Sequence, residues 1–196
     1  MAAPEHDPSR SSFYIDDDFY RDLVDGFTDW QTDTAEITDP AQRDACRSLL
    51  EREARCLDDR RFDDWLGMFA PHCLYWVPAS KNGGDPRHEV AVAFDDRRRL
   101  EDRVFRLNSP YAWSQQPVSR TSRLVSNVAV FRTDDPDIVM TRASFLISEF
   151  QAGDYRTWAG WYGHRLHWTG DCWEFFVKQG NLINFDQNLR NPSIIL

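Results

Sequence analysis

A chain of 196 residues with 41% apolar residues, 14% aromatics and eight tryptophans can bury a sizeable core within one domain. Its net charge of −9 lies at the front: residues 1–70 hold 18 acids and 8 bases, the remainder 14 and 15. The chain has no basic patch, no apolar run of the ~18 residues a membrane span needs and no Cys-x-x-Cys pair. It is therefore expected to be cytoplasmic, without nucleic acid, membrane or structural zinc as partner.

Residues 1–12 are polar and read as disordered. Phe19, Leu23, Phe27 and Trp30 recur at helical spacing behind Asp16 to Asp18, so a short helix is expected there, followed by a polar linker over 31–38. Residues 1–38 thus form an acidic arm, and 39–196 a single α+β domain. Asp39-Pro40-Ala41-Gln42 is a helix start, with an N-cap carboxylate, proline at the first helical position and glutamine at the third. Ala45, Cys46, Leu49, Leu50, Ala54 and Leu57 carry the apolar stripe of that helix. Phe62, Trp65, Leu66 and Phe69 predict a second, shorter helix ended by Pro71. Cys73 to Val77 reads as a strand closed by Pro78, and residues 79–88 as a loop. Leu100, Val104 and Leu107 put one apolar edge on a charged helix over 95–107. Ser109 to Pro117 reads as a loop.

From Val118 the period changes. Strands are expected over 122–132, 138–151, 155–169 and 172–183, separated by Asp-Pro and Gly-Asp turns that demand antiparallel pairing. Strands this long curl, and helices laid across the concave face would make a cone with a mouth. Trp158 and Trp168 share one face of their strand and Trp161 takes the other. Both faces should therefore be covered, one by helices and the other by a second subunit. The apolar run Ser193-Ile-Ile-Leu196 predicts an ordered tail.

Candidate chemistry sits in the mouth. Asp58 and Asp59 follow the main helix, His72 precedes the first strand, and His164 lies three before His167. Tyr75, Tyr111, Tyr155 and Tyr162 could donate hydrogen bonds. A carboxylate–histidine pair from Asp58, Asp59, His72 and His164 would suit proton transfer by a dehydratase or isomerase. The same residues read more readily as a helix exit tied by local ion pairs and as sheet-surface histidines, since aspartates beside two arginines are held ionised. Residues i and i+3 on a strand face opposite ways, so His164 and His167 are not a metal pair. No Cys-x-His or Cys-x-x-His spacing exists for an iron–sulfur cluster. No phosphate loop or nucleophile elbow exists either. The chain on this reading has no catalytic, cofactor-binding or metal residue of its own.

Glu53-Ala-Arg-Cys-Leu-Asp-Asp-Arg-Arg-Phe-Asp-Asp-Trp-Leu66, Tyr75-Trp-Val-Pro78, Ser119-Arg-Thr-Ser-Arg-Leu-Val-Ser-Asn-Val128, Asn181-Leu-Ile-Asn and Arg190-Asn-Pro-Ser193 carry a resemblance. The chain resembles the small (β) subunit of bacterial aromatic-ring-hydroxylating dioxygenases. The resemblance implies a cystatin-like cone of the scytalone dehydratase and ketosteroid isomerase kind. It implies a structural subunit that assembles as three alpha and three beta subunits, with the β subunits as a trimeric base. The alpha subunit would hold a Rieske [2Fe–2S] cluster and a mononuclear Fe(II), supplied with NADH electrons through a reductase. The oxidoreductase complex would convert an aromatic ring and O₂ to a cis-dihydrodiol.

Overall fold

The computed structural model describes residues 13–81, 83–110, 113–187, 189 and 192–196. Residues 1–12, Tyr111 and Arg190, on which expectations fell, lie outside them. Four helices are described: α1 (Asp17–Gly26), α2 (Pro40–Asp58), α3 (Phe62–Leu66) and α4 (Arg97–Asn108). The strands are β1 (Phe69–Pro78), β2 (Ala91–Asp96), β3 (Arg120–Arg132), β4 (Ile138–Gln151), β5 (Asp154–Trp168) and β6 (Trp173–Leu182). They form one sheet in the order β2-β1-β6-β5-β4-β3. Neighbours run antiparallel except β1 and β6, which are parallel.

The main helix begins as its residues dictate. The Asp39 carboxylate accepts from the Gln42 amide at 2.8 Å, and Pro40 opens the first turn. Its buried face is Cys46, Leu49, Leu50, Glu53, Ala54 and Leu57, whereas Ala45 is exposed. That face packs across the concave side of the sheet, against Val130, Phe145, Ile147, Tyr162 and Leu166. Ala152 and Gly153, both at positive φ, make the two-residue turn that joins β4 to β5, the geometry that suits strand twist. In β3, Asn127 and Val128 together face Ala143, and Asn127 takes φ 52°. This bulge bends the strand, and asparagine tolerates the left-handed conformation it needs. At Gly160 of β5 a Cβ would run into the Asn181 carbonyl and the Phe145 ring. Glycine is required there.

Three local expectations are corrected. The second helix ends at Leu66, not near Pro71, which sits inside β1. The ladder from β1 to β2 starts only at Leu74, and the β6 register is irregular between Phe69 and Leu74. A residue without N–H therefore costs no ladder bond there. The helix expected over 95–107 starts at Arg97, because Asp95 and Asp96 end an edge strand, β2, that was not expected between the loop and that helix. The linker over 31–38 is paired: Ile37 N–H donates to the Val130 carbonyl at 2.7 Å, and Arg132 N–H to Ala35 at 2.9 Å. These bonds cover the free edge of β3.

Helix α1 also changes the expected layering. It packs Leu23 against Leu74, Trp76 and Val177, with Phe19, Phe27, Phe94 and Phe176 around them. These residues lie on the convex side, so the arm's own helix covers that face over β1, β2 and β6. On β3, β4 and β5 the arm covers only one end of the convex face, where Trp30 packs on Phe131 at 5.3 Å; towards the β4–β5 turn that face is bare, with Leu124 (61% exposed), Leu146, Phe150 and Tyr155 outward.

The tail turns into the cone. Ile194, Ile195 and Leu196 are buried in the main core. Side chains hold its backbone. Gln115 donates to the Ser193 carbonyl at 2.9 Å, Arg123 to that of Ile195 at 2.5 Å, and Leu196 N–H donates to the Tyr75 hydroxyl at 3.0 Å. Tyr75→Phe removes this anchor and is expected to lower unfolding free energy by about 1–3 kcal/mol, the cost of leaving a buried backbone group unpaired. Urea denaturation of the two proteins measures it, and a change within error would mean the apolar side chains alone seat the tail.

Candidate functional site

The concave interior gathers polar side chains from every element that lines it. Glu53 sits on the buried stripe of α2, one turn after Leu49 and Leu50. Lys178 projects from β6, and the two form an ion pair of 2.6 Å. The Trp65 indole N–H of α3 donates to the same carboxylate oxygen at 2.9 Å. Lys178 Nζ lies 4.3 Å from the centre of the Tyr162 ring, within cation–π range. Tyr162 stacks on Phe145 at 4.2 Å. His164, two residues along β5, pairs its Nδ1 with the Thr141 hydroxyl at 2.9 Å.

Burial governs the charges here. It pushes the Tyr75 phenol up to about 12 and the Tyr162 phenol well above its ordinary value of 10. Burial lowers the Lys178 ammonium, while the Glu53 carboxylate works against that shift. His164 is held well below 6.5, first by burial and then by the charge of Lys178. His164 is therefore neutral in the folded chain and charges only on unfolding. Below about pH 6.5 the unfolded state binds one more proton than the folded one. Stability present above that pH should fall by about 1.4 kcal/mol per pH unit as the solution is acidified. Urea titrations at pH 7.5, 6.5 and 5.5 check this, and His164→Gln should flatten that part of the slope.

The four residues considered for proton transfer do not converge. Asp58 accepts from the Thr121 hydroxyl and the Arg123 backbone N–H, both at 2.8 Å, and from the Arg123 guanidinium at 2.5 Å. It clamps the edge of β3 rather than forming a local ion pair. Asp59 is mostly exposed and lies 3.6 Å from Arg61. His72 is exposed and stacks on Tyr14 at 4.8 Å. Among the described residues no hydrogen bond joins any two of the four. His167 lies on the convex side, stacked on Phe176 at 4.3 Å. The Tyr155 hydroxyl donates to Ser148 on the exposed face. Of the cysteines, Cys46, Cys56 and Cys73 are buried, and Cys172 is exposed.

A second buried carboxylate lies nearer the mouth. Glu149 accepts from the Ser119 hydroxyl at 2.8 Å and from the Trp158 indole at 2.9 Å. Neither it nor the Glu53–Lys178 pair was singled out from sequence. Glu53 could have been, because it shares the face of Leu49, Leu50 and Leu57. Lys178 gave no such sign, since its partner lies 125 positions away.

The interior does not fit a metal centre. Its histidine faces an ammonium and its Glu53 carboxylate is already spent on that ammonium. No group of three or more metal-binding side chains occurs among the described residues. The tail lies over a void of about 20 Å³, between Leu57, Phe62, Thr121 and Arg123. Among the described residues no helix is long and apolar enough to cross a membrane.

Comparison with known proteins places this architecture. The toluate 1,2-dioxygenase subunit beta of Pseudomonas putida is 36% identical over 97 residues, which is 47% of this chain and 60% of that protein. The match thus spans about 60% of that relative's length. The solved beta subunit of the benzoate 1,2-dioxygenase from Burkholderia mallei superimposes with a TM-score of 0.63 at 24% identity, over 76% of this chain and 95% of that one. An NTF2-like protein with a cystatin-like fold from Novosphingobium aromaticivorans gives 0.52 at 12% identity, over 72% and 82%. These two likenesses establish the cystatin-like α+β cone. The family described as ring hydroxylating beta subunit matches residues 52–186, a segment running from the Glu53 turn of α2 through β6. The chain belongs to the ring hydroxylating beta subunit family.

Proposed function

We propose that this chain is the non-catalytic small subunit of an aromatic-ring-hydroxylating dioxygenase, and that it holds an iron-bearing large subunit in place. The observation that carries the reading is the filled cone. A catalytic pocket for a small molecule needs roughly 300 Å³ or more; the void beneath the tail is about 20 Å³, and neither it nor the larger groove at the mouth is lined by Asp58, Asp59, His72 or His164. This counts against the free-standing dehydratase or isomerase, as does the dispersal of Asp58, Asp59, His72 and His164. The bare part of the convex face of β3 to β5 supports a subunit interface. Arg120 lies over Phe150 and Arg142 over Trp161 there, a mix of arginine and aromatic side chains typical of interfaces.

On this reading the complex sits in the cytoplasm as three alpha and three beta subunits, and the small subunits associate as a trimer. The Rieske [2Fe–2S] cluster and mononuclear Fe(II) belong to the alpha subunit, where with NADH electrons from a reductase they supply the O₂ chemistry that gives a cis-dihydrodiol. This chain supplies shape and contact surface.

Co-expression with the large subunit tests it. The two chains should elute together in equal amounts, with iron tracking the large one. Leu124→Asp with Leu146→Asp should release a folded small subunit from the assembly. A small subunit that stays monomeric beside its large partner, or that retains stoichiometric iron by itself, would refute the proposal.

A further inference from the structure

The mouth of the cone opens into a groove of about 640 Å³ above the tail. That volume lies within the range of small-molecule sites, about 300–1,000 Å³. Its walls come from α4, the 3₁₀ turn, β4, β5 and the tail. The end of α4 gives Arg103, Arg106 and Leu107, the short 3₁₀ turn Trp113–Gln115 gives Trp113, and the start of β5 gives Arg156. Among the described lining residues there is no carboxylate, although the chain as a whole carries −9.

The walls are held in position. Arg103 Nε donates to Asp95 at 2.8 Å, and Arg156 Nε to Asp154 at 2.9 Å. The Gln151 side-chain amide donates to the Ser114 carbonyl at 2.7 Å and to the Pro117 carbonyl at 2.9 Å. These bonds tie the turn that carries Trp113 to β4, yet the Trp113 side chain is left 79% exposed. Arg103 and Arg156 are thus paired with carboxylates, whereas among the described residues the Arg106 side chain donates only to the Asp102 carbonyl, so a pinned turn presenting a bare indole beside the Arg106 guanidinium offers two complementary surfaces. Planar guanidinium forks take carboxylates through paired N–H donors. An indole face and the Leu107 side chain take a flat ring.

We propose that this groove binds a small aromatic carboxylate, its charge met by Arg106 and its ring by Trp113. The site is formed within this chain, so it stands or falls independently of the dioxygenase reading.

Calorimetric titration of the full chain with benzoate tests it. Benzamide, cyclohexanecarboxylate and inorganic phosphate serve as comparison ligands. Arg106→Gln and Trp113→Ala alter exposed side chains, and unchanged melting temperatures would show that both variants fold. One saturable benzoate site is expected. Benzamide should bind at least about tenfold more weakly, and Arg106→Gln should weaken benzoate by about tenfold, the scale of one lost charge-assisted hydrogen bond. Trp113→Ala should erase the preference for benzoate over cyclohexanecarboxylate. The proposal is overturned by no saturable heat at millimolar benzoate, by equal affinity for benzamide or phosphate, or by variants that bind as the parent does.

Discussion

Glu53→Ala should lower unfolding free energy by about 3–5 kcal/mol, although it removes a single carboxylate. The Lys178 side chain is 1% exposed and its ammonium has Glu53 at 2.6 Å. Without that partner it must be buried bare or shed its proton, and either is costly. Desolvation already lowers the Lys178 ammonium against the pull of Glu53, so the pair is favourable only relative to its broken state. Replacing both partners, as Glu53→Ala with Lys178→Met, should therefore recover most of the loss. Urea denaturation of both single variants and the double variant closes the cycle. A double variant as unstable as the singles would mean that lost packing, not the orphaned charge, does the damage.

Trp65→Ala is expected to cost about 3–5 kcal/mol, the range for emptying a buried aromatic site. The side chain is fully buried between Phe69, at 4.8 Å centroid distance, and Tyr75, at 6.2 Å. It also donates to Glu53. Trp65→Phe separates these contributions, since it keeps an aromatic ring and loses the indole N–H. A loss for the alanine variant within error would mean that α3 does not brace the core. Because Trp65 and Glu53 share a hydrogen bond, their effects should not add.

The residues that announced themselves in the sequence are those whose partners are local. Asp39, Pro40 and Gln42 interact within one turn, and the helix starts where they place it. The four long strands were legible because Gly-Asp and Asp-Pro turns bound them. Strand β2 escaped because it is six residues long at an edge, and Ala91 to Phe94 are only half-buried. Asp58 was read as part of a local charge cluster, yet its partner Arg123 is 65 positions distant. The Glu53–Lys178 pair escaped for the same reason. The convex-side docking of α1 was unreadable, since an amphipathic stripe states that one side is buried and not what buries it.

The parallel seam between β1 and β6 has a kinetic consequence. Strand β1 ends at Pro78 and its neighbour begins at Trp173, so about half the chain must be synthesised between them. At typical elongation rates of roughly 5–20 residues per second, a nascent polypeptide would hold the β1–β2 hairpin without its inner neighbour for several seconds. Such distant pairing raises contact order and slows folding. The unpaired side of β1 is then a template for association with other chains. Soluble yield should consequently respond to expression temperature and to chaperone supply more steeply than the stability of the finished protein would suggest.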